Sequence, residues 1–180
     1  MNKNIFIISL LLIASTFISC GSDDDGDIPT PELPTPSTFQ GTWYTTQRTI
    51  KTNYPELDER LNNLFGYNIK TNTLKRVIKP HSTMPGVGTI VVTSTNKETG
   101  IGWERIDSYE EGPGEGILTV NDQRLGYPAY AYSFGPGTMT STLDISYSWI
   151  VIMAEEVGYA GPTPVAMEGV LTIVETPNKP

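Results

Sequence analysis

This chain is poor in the residues on which most enzyme and metal chemistry depends. Its one cysteine, Cys20, allows no disulfide within the chain. Its one histidine, His81, excludes a histidine-rich metal site, and any Ser-His-Asp arrangement would have to use it. His81 lies between Pro80 and Pro85, in a stretch that reads as an exposed loop. Bases are scarce: 12 Lys and Arg stand against 20 Asp and Glu, a formal net charge of −8. Residues 39–103 hold eight bases and four acids, and residues 104–180 three bases and eleven acids. That is a mild dipolar asymmetry, without the concentrated basic face that nucleic acid requires. No apolar run reaches the about 20 residues that span a bilayer as a helix.

The longest apolar run is instead a targeting segment. Lys3 supplies a short positive start, and Ile5 to Ile18 is fourteen residues interrupted only by Ser9, Ser15 and Thr16. Residues 1–19 therefore read as a signal peptide and stand apart from the fold. Directly after the run comes Ile18-Ser19-Cys20-Gly21, then Ser22-Asp23-Asp24-Asp25.

Ile18-Ser19-Cys20-Gly21 resembles the bacterial lipobox, in which a small residue precedes the cysteine. The resemblance implies cleavage before Cys20 and lipidation of its thiol, with several acyl chains giving durable anchoring where one would be marginal. Ser22, Asp23, Asp24 and Asp25 resemble the export signal of Bacteroidetes-type surface lipoproteins, which implies an outer-membrane protein facing the cell exterior. Their plainer readings are a solvated linker or a weak cation site. Three aspartates on a tail lack the rigid oxygen cage that calcium favours. Pro29, Pro31, Pro34 and Pro36 follow, a polyproline II spacer that completes an acidic tether over residues 20–38.

Residues 39–180 form the expected folded domain. Tyr54 to Gly66 breaks an otherwise β-rich pattern, with Pro55 suited to a first helical turn and Leu57, Leu61 and Leu64 at helical spacing. Short strand patterns occupy Trp43–Ile50, Thr73–Lys79, Thr89–Thr95, Ile101–Tyr109, Gly116–Val120, Tyr127–Phe134 and Val165–Thr176, separated by Gly, Pro and Asn turns. After the turn at Gly135-Pro136-Gly137, Met139, Ser141, Leu143 and Ile145 alternate with polar residues, as on a half-buried strand. Tyr147–Met153 is almost wholly apolar and reads as a central strand covered on both faces. The pattern predicts an all-β domain with one short helix: an antiparallel up-and-down β-barrel of about eight strands or, alternatively, a β-sandwich.

Gly41-Thr42-Trp43 on the first strand resembles the lipocalin-type opening of many bacterial lipocalin-like lipoproteins. The resemblance implies that Gly41 allows close approach at the barrel base and that Trp43 plugs the closed end. Lipocalins often lay a late arginine over that tryptophan, whereas this chain has only Lys179 as a base after Arg124.

The catalytic inventory is thin, and neither an enzyme nor a cofactor is expected. No strand-turn-helix elbow surrounds a serine. Glu110/Glu111 and Glu155/Glu156 are adjacent pairs, and neighbours on a strand face opposite ways, so neither pair forms a glycosidase dyad by itself. A ligand pocket is the sharper expectation. Tyr130, Tyr132 and Phe134 share one strand face, and each buried phenol needs a polar partner or an open space. Trp103 and Trp149, both on expected strands, complete the candidate lining. The aromatic ladder reads equally as core. Three functions remain: a module holding a small apolar or glycan-like ligand, an accessory or adhesin-type protein with a protein partner at the cell surface, or a hydrolase. An internal cavity favours the first, and a filled core with an exposed apolar patch the second.

Overall fold

The computed structural model describes residues 38–64, 66–112, 114–121, 128–162 and 167–179. The targeting segment, Cys20, Ser22 to Asp25 and the proline spacer lie outside them, as do Phe65 and Tyr127.

Eight antiparallel strands close into a barrel: β1 (Gly41–Thr52), β2 (Asn72–Pro80), β3 (Val87–Asn96), β4 (Gly102–Glu111), β5 (Ile117–Asn121), β6 (Ala129–Gly135), β7 (Thr138–Ile145) and β8 (Gly169–Thr176). Each pairs with its sequence neighbour, and β8 returns to β1, with Tyr44 opposite Thr176 and Thr52 opposite Gly169. That closure excludes the sandwich. The turns are set locally. Asn96 Oδ1 accepts from the backbone N–H of Glu98 and Thr99 at 3.0 and 2.9 Å, which shapes the β3–β4 loop. Pro136 and Gly137 fill the two-residue β6–β7 turn between the paired Gly135 and Thr138.

Two helices cover one end of the barrel, one more than the sequence predicts. Helix α1 (Pro55–Asn62) begins on Pro55 and buries Leu57 and Leu61. It stands where β1 leaves β2, whose pairing stops at Tyr44 opposite Lys75. Asn62 there does the work of a missing strand: Oδ1 accepts from Ile50 N at 2.7 Å and Nδ2 donates to Ile50 O at 2.8 Å. Helix α2 (Tyr147–Glu156) replaces the expected central strand. An apolar run with no polar face looks the same in either state, because hydrophobicity without a period carries no phase information. Here the run divides into two helical stripes. Tyr147, Ile150, Ala154 and Val157 pack with Ile50, Leu57 and Leu61. Trp149, Ile152, Met153 and Glu156 border the barrel's cavity, Ile152 and Glu156 at its exposed rim. Gly158, at φ +64°, ends the helix, and Tyr159 N donates to Ala154 O at 2.9 Å.

Two packed clusters divide the interior. The helical end holds the one just described. The far end is sealed by Phe39, Trp43, Ile78, Tyr109, Leu118 and Met139, with Tyr132 and Phe134 against them. A β-bulge in β1 between Thr45 and Gln47 lets one strand serve both. Trp43 and Thr45 are buried before it, and Ile50 and Thr52 after it.

Candidate functional site

Between the two clusters lies a cavity of about 350 Å³. Every strand contributes to its wall. Ile90, Val92 and Val120 give an apolar floor, Ile50, Leu171 and Ile173 one side, and the inward stripe of α2 with Leu64 and Tyr67 a roof. Ile152 is 47% exposed and Glu156 is exposed, so this part of the roof is also the rim.

The strand alternation that places these apolar residues inside also brings charge inside. Arg76 shares a face with Leu74 and Ile78, Glu175 with Leu171 and Ile173, and Arg105 and Asp107 with Trp103 and Tyr109. Arg76 donates to Glu175 through both Nε and Nη2, and Nη2 also donates to Ser141 Oγ at 3.1 Å. Thr45 Oγ1 donates to Glu175 Oε1 at 3.3 Å. Burial pulls the Arg76 guanidinium down, but the charge and hydrogen bonds of Glu175 outweigh it and hold the pKa above the ordinary value. Arg105 Nε donates to Asp107 Oδ2 at 2.9 Å.

Arg48, just past the bulge, is held differently. Its Cζ lies 5.1 Å from the centroid of the Tyr67 ring. Its Nη1 is buried, and no protein group accepts from it. Burial pushes its pKa below the ordinary value, against the favourable influence of Tyr67 and Tyr130. The Tyr67 ring packs in turn against Trp103, with centroids 5.1 Å apart and the ring planes tilted by 55°. Gly66, at φ +79°, makes room for that contact: a Cβ there would come within 2.5 Å of Trp103 Nε1.

Of the five aromatic residues expected to line a pocket, Tyr130 and Trp149 line this one. Trp149 does so from a helix, not from a strand. Tyr132 and Phe134 lie further along β6, in the far-end cluster, where Tyr132 meets Phe39 edge-on at 5.1 Å. Trp103 stands behind Tyr67. Trp43, 3% exposed, donates from Nε1 to Phe39 O at 2.7 Å, and the ring lying along it is Phe134, at 6.5 Å and 27°. Gly41 has φ +133°, a conformation that side chains oppose. Tyr109 is buried in the same cluster, and its hydroxyl has no protein partner.

The other candidates for chemistry are dispersed. His81 is exposed, and its Nδ1 accepts from the N–H of Thr83 and Met84, each at 3.2 Å. Glu110 is exposed on β4, and Glu155 and Glu156 are adjacent on a helix. Among the described residues no three His, Cys, Asp or Glu side chains cluster as metal ligands, and no helix is long and apolar enough to cross a membrane.

The structure therefore defines a closed eight-stranded antiparallel barrel with a roofed internal cavity, a fold compatible with a lipocalin-like domain. No family model matches the chain, and no curated protein matches it significantly.

Proposed function

We propose that this protein is a lipoprotein, anchored to the outer membrane through Cys20 and facing the cell exterior, whose lipocalin-like barrel holds a small apolar ligand. The cavity carries the binding part of this reading: about 350 Å³ of space, with Ile, Leu and Val supplying half of the residues that line it, between two well-packed clusters. Pockets for small molecules are commonly apolar, enclosed and set with a few polar groups, as this one is. The anchoring part rests on the lipobox-like Ile18-Ser19-Cys20-Gly21 and on the acidic Ser22 to Asp25.

Titration of the full chain with N-phenyl-1-naphthylamine, a neutral apolar fluorophore, tests the binding part. Saturable one-site binding is expected, and Val92→Phe, which fills the cavity from β3, abolishes it while the circular dichroism spectrum stays the same. Binding that is unsaturable, or indifferent to Val92→Phe, defeats the reading. It would then favour an accessory or adhesin-type role, for which the outward-facing Ile106 of β4, 61% exposed, is the supporting observation.

A further inference from the structure

We infer that the cavity takes an amphiphilic monocarboxylate, with its head on the Arg48 guanidinium and its apolar body against Val92, Val120 and Ile173. This rests on the reading of the barrel as a ligand-holding domain and names the class of ligand.

The three arginines on the cavity wall are held in different ways. Arg76 has Glu175, and Arg105 has Asp107. Each of these cations arrives with its own carboxylate, and each pair is neutral as a unit. Arg48 projects into the same space, yet its buried Nη1 has no acceptor. A buried donor left without a partner costs about 1–3 kcal/mol, and more when the group is charged. Arg48 bears this cost beside the open volume that would hold an acceptor. Glu156, the remaining acid on the cavity lining, belongs to the exposed rim of α2, where solvent screens it.

Arg48 is also pre-positioned. Trp103 packs against Tyr67, Tyr67 lies under Arg48, and Gly66 leaves the space that Trp103 needs. A group held this way loses little freedom when it binds. The guanidinium fork matches the geometry of a planar carboxylate. A single negative charge fits better than a dianion, because Arg76 and Arg105 are each neutralised by their own carboxylate and Arg48 leaves one positive charge on the cavity wall to be matched. A volume near 350 Å³ is at the small end of the range for ligand pockets, roughly 300–1,000 Å³, so the apolar body is short or compact.

Decanoate and 1-decanol share a tail and differ in the head, so their affinities for the full chain at pH 7, measured by displacement of N-phenyl-1-naphthylamine, test the inference. Decanoate is expected to bind at least tenfold more tightly. Arg48→Met, which keeps the bulk and removes the charge, should lower decanoate affinity at least tenfold and leave that of decanol unchanged. Arg48→Lys should keep part of the preference. The ligand-free Arg48→Met protein should also melt at a higher temperature than the wild type, since a buried cation without a partner has been removed. Equal affinity of the wild type for acid and alcohol overturns the inference and leaves a pocket for neutral ligands. Equal loss of both ligands in Arg48→Met at unchanged circular dichroism also overturns it, by making Arg48 a wall residue. If neither compound nor the fluorophore binds the wild type, the ligand-holding reading falls, and this inference falls with it.

Discussion

Arg76 and Glu175 meet inside the barrel although their strands never pair. Arg76 on β2 lies opposite Trp43, Glu175 on β8 lies opposite Thr45, and β1 runs between them. Arg76 Nε reaches the two carboxylate oxygens at 2.8 and 2.9 Å, and Glu175 is 0% exposed. The pair ties together three strands at the level of the bulge, where β1 changes the face it turns inward. Removing one partner leaves a buried charge alone, so Glu175→Gln and Arg76→Met should each lower stability by about 3–5 kcal/mol. The double variant should lose less than the sum of the two, because it leaves neither charge behind. Urea denaturation of the two single variants and the double variant gives the coupling directly, and additive losses would remove the pair from this role.

Tyr109 offers a change in the opposite direction. Its hydroxyl is buried without a protein partner, so Tyr109→Phe should raise stability by about 1 kcal/mol. Its pKa also stands above the ordinary 10.0, first because of burial and then because of Glu111 and Tyr132. A phenol with a raised folded-state pKa contributes stability that is complete below about pH 10 and is lost as pH rises through the folded value. Thermal melts between pH 8 and pH 11 should therefore fall less steeply for Tyr109→Phe than for the wild type. Parallel curves would show that the hydroxyl takes no part in the alkaline limit.

Neighbouring tyrosines on one strand face should separate stability from binding. Tyr132 packs on Phe39 and Phe134, so Tyr132→Ala should cost about 3–5 kcal/mol, the range for truncating a packed aromatic. Tyr130 lines the cavity, so Tyr130→Ala should cost less and weaken binding of N-phenyl-1-naphthylamine more. Chemical denaturation and fluorescence titration of the two variants check both halves. The reverse order would move the pocket to the far end of the barrel.

The anchor is tested apart from the barrel. Cys20→Ala should abolish incorporation of radiolabelled fatty acid and leave the signal segment uncleaved at that position. Replacing Asp23, Asp24 and Asp25 together by Ala should keep the label but reduce digestion of intact cells' surface protein by external protease. Label on the Cys20→Ala chain, or unchanged digestion of the triple variant, would refute the anchoring and the export reading respectively.

Much of the barrel was legible because its strands are punctuated. Gly135-Pro136-Gly137 and Asn96 to Gly100 mark turns whose residues decide the geometry, and the alternation from Met139 to Ile145 gives the phase of β7. The apolar run of α2 was misread as a strand because it must satisfy two partners at once, the packed cluster on one stripe and the cavity on the other, and so shows no polar face. The aromatic ladder of β6 was legible as inward-facing, but sequence alone does not say how far along a strand packing gives way to space. The interior charges were missed altogether. A signal existed in β2 and β8, where Arg76 and Glu175 fall in phase with apolar neighbours. No such signal existed for Arg48, whose phase on β1 depends on the bulge.

That bulge makes β1 a strand written in two frames. Odd-numbered residues look inward as far as Thr45, and even-numbered residues do so from Arg48 onward. Deleting Thr46, the residue left unpaired between the Thr45–Glu175 and Gln47–Val174 pairs, would merge the frames: Thr45, Gln47 and Arg48 would then run in, out, in, so Arg48 and Ile50 would keep facing the interior and the register with β8 would stand. What the extra residue adds is a bend, which sets the course of β1 as it leaves β2 and runs on beside β8. A library of variants should tolerate exchanges at Thr46 freely, and the pattern of tolerated polarity along β1 should pass from odd-numbered to even-numbered positions across the bulge.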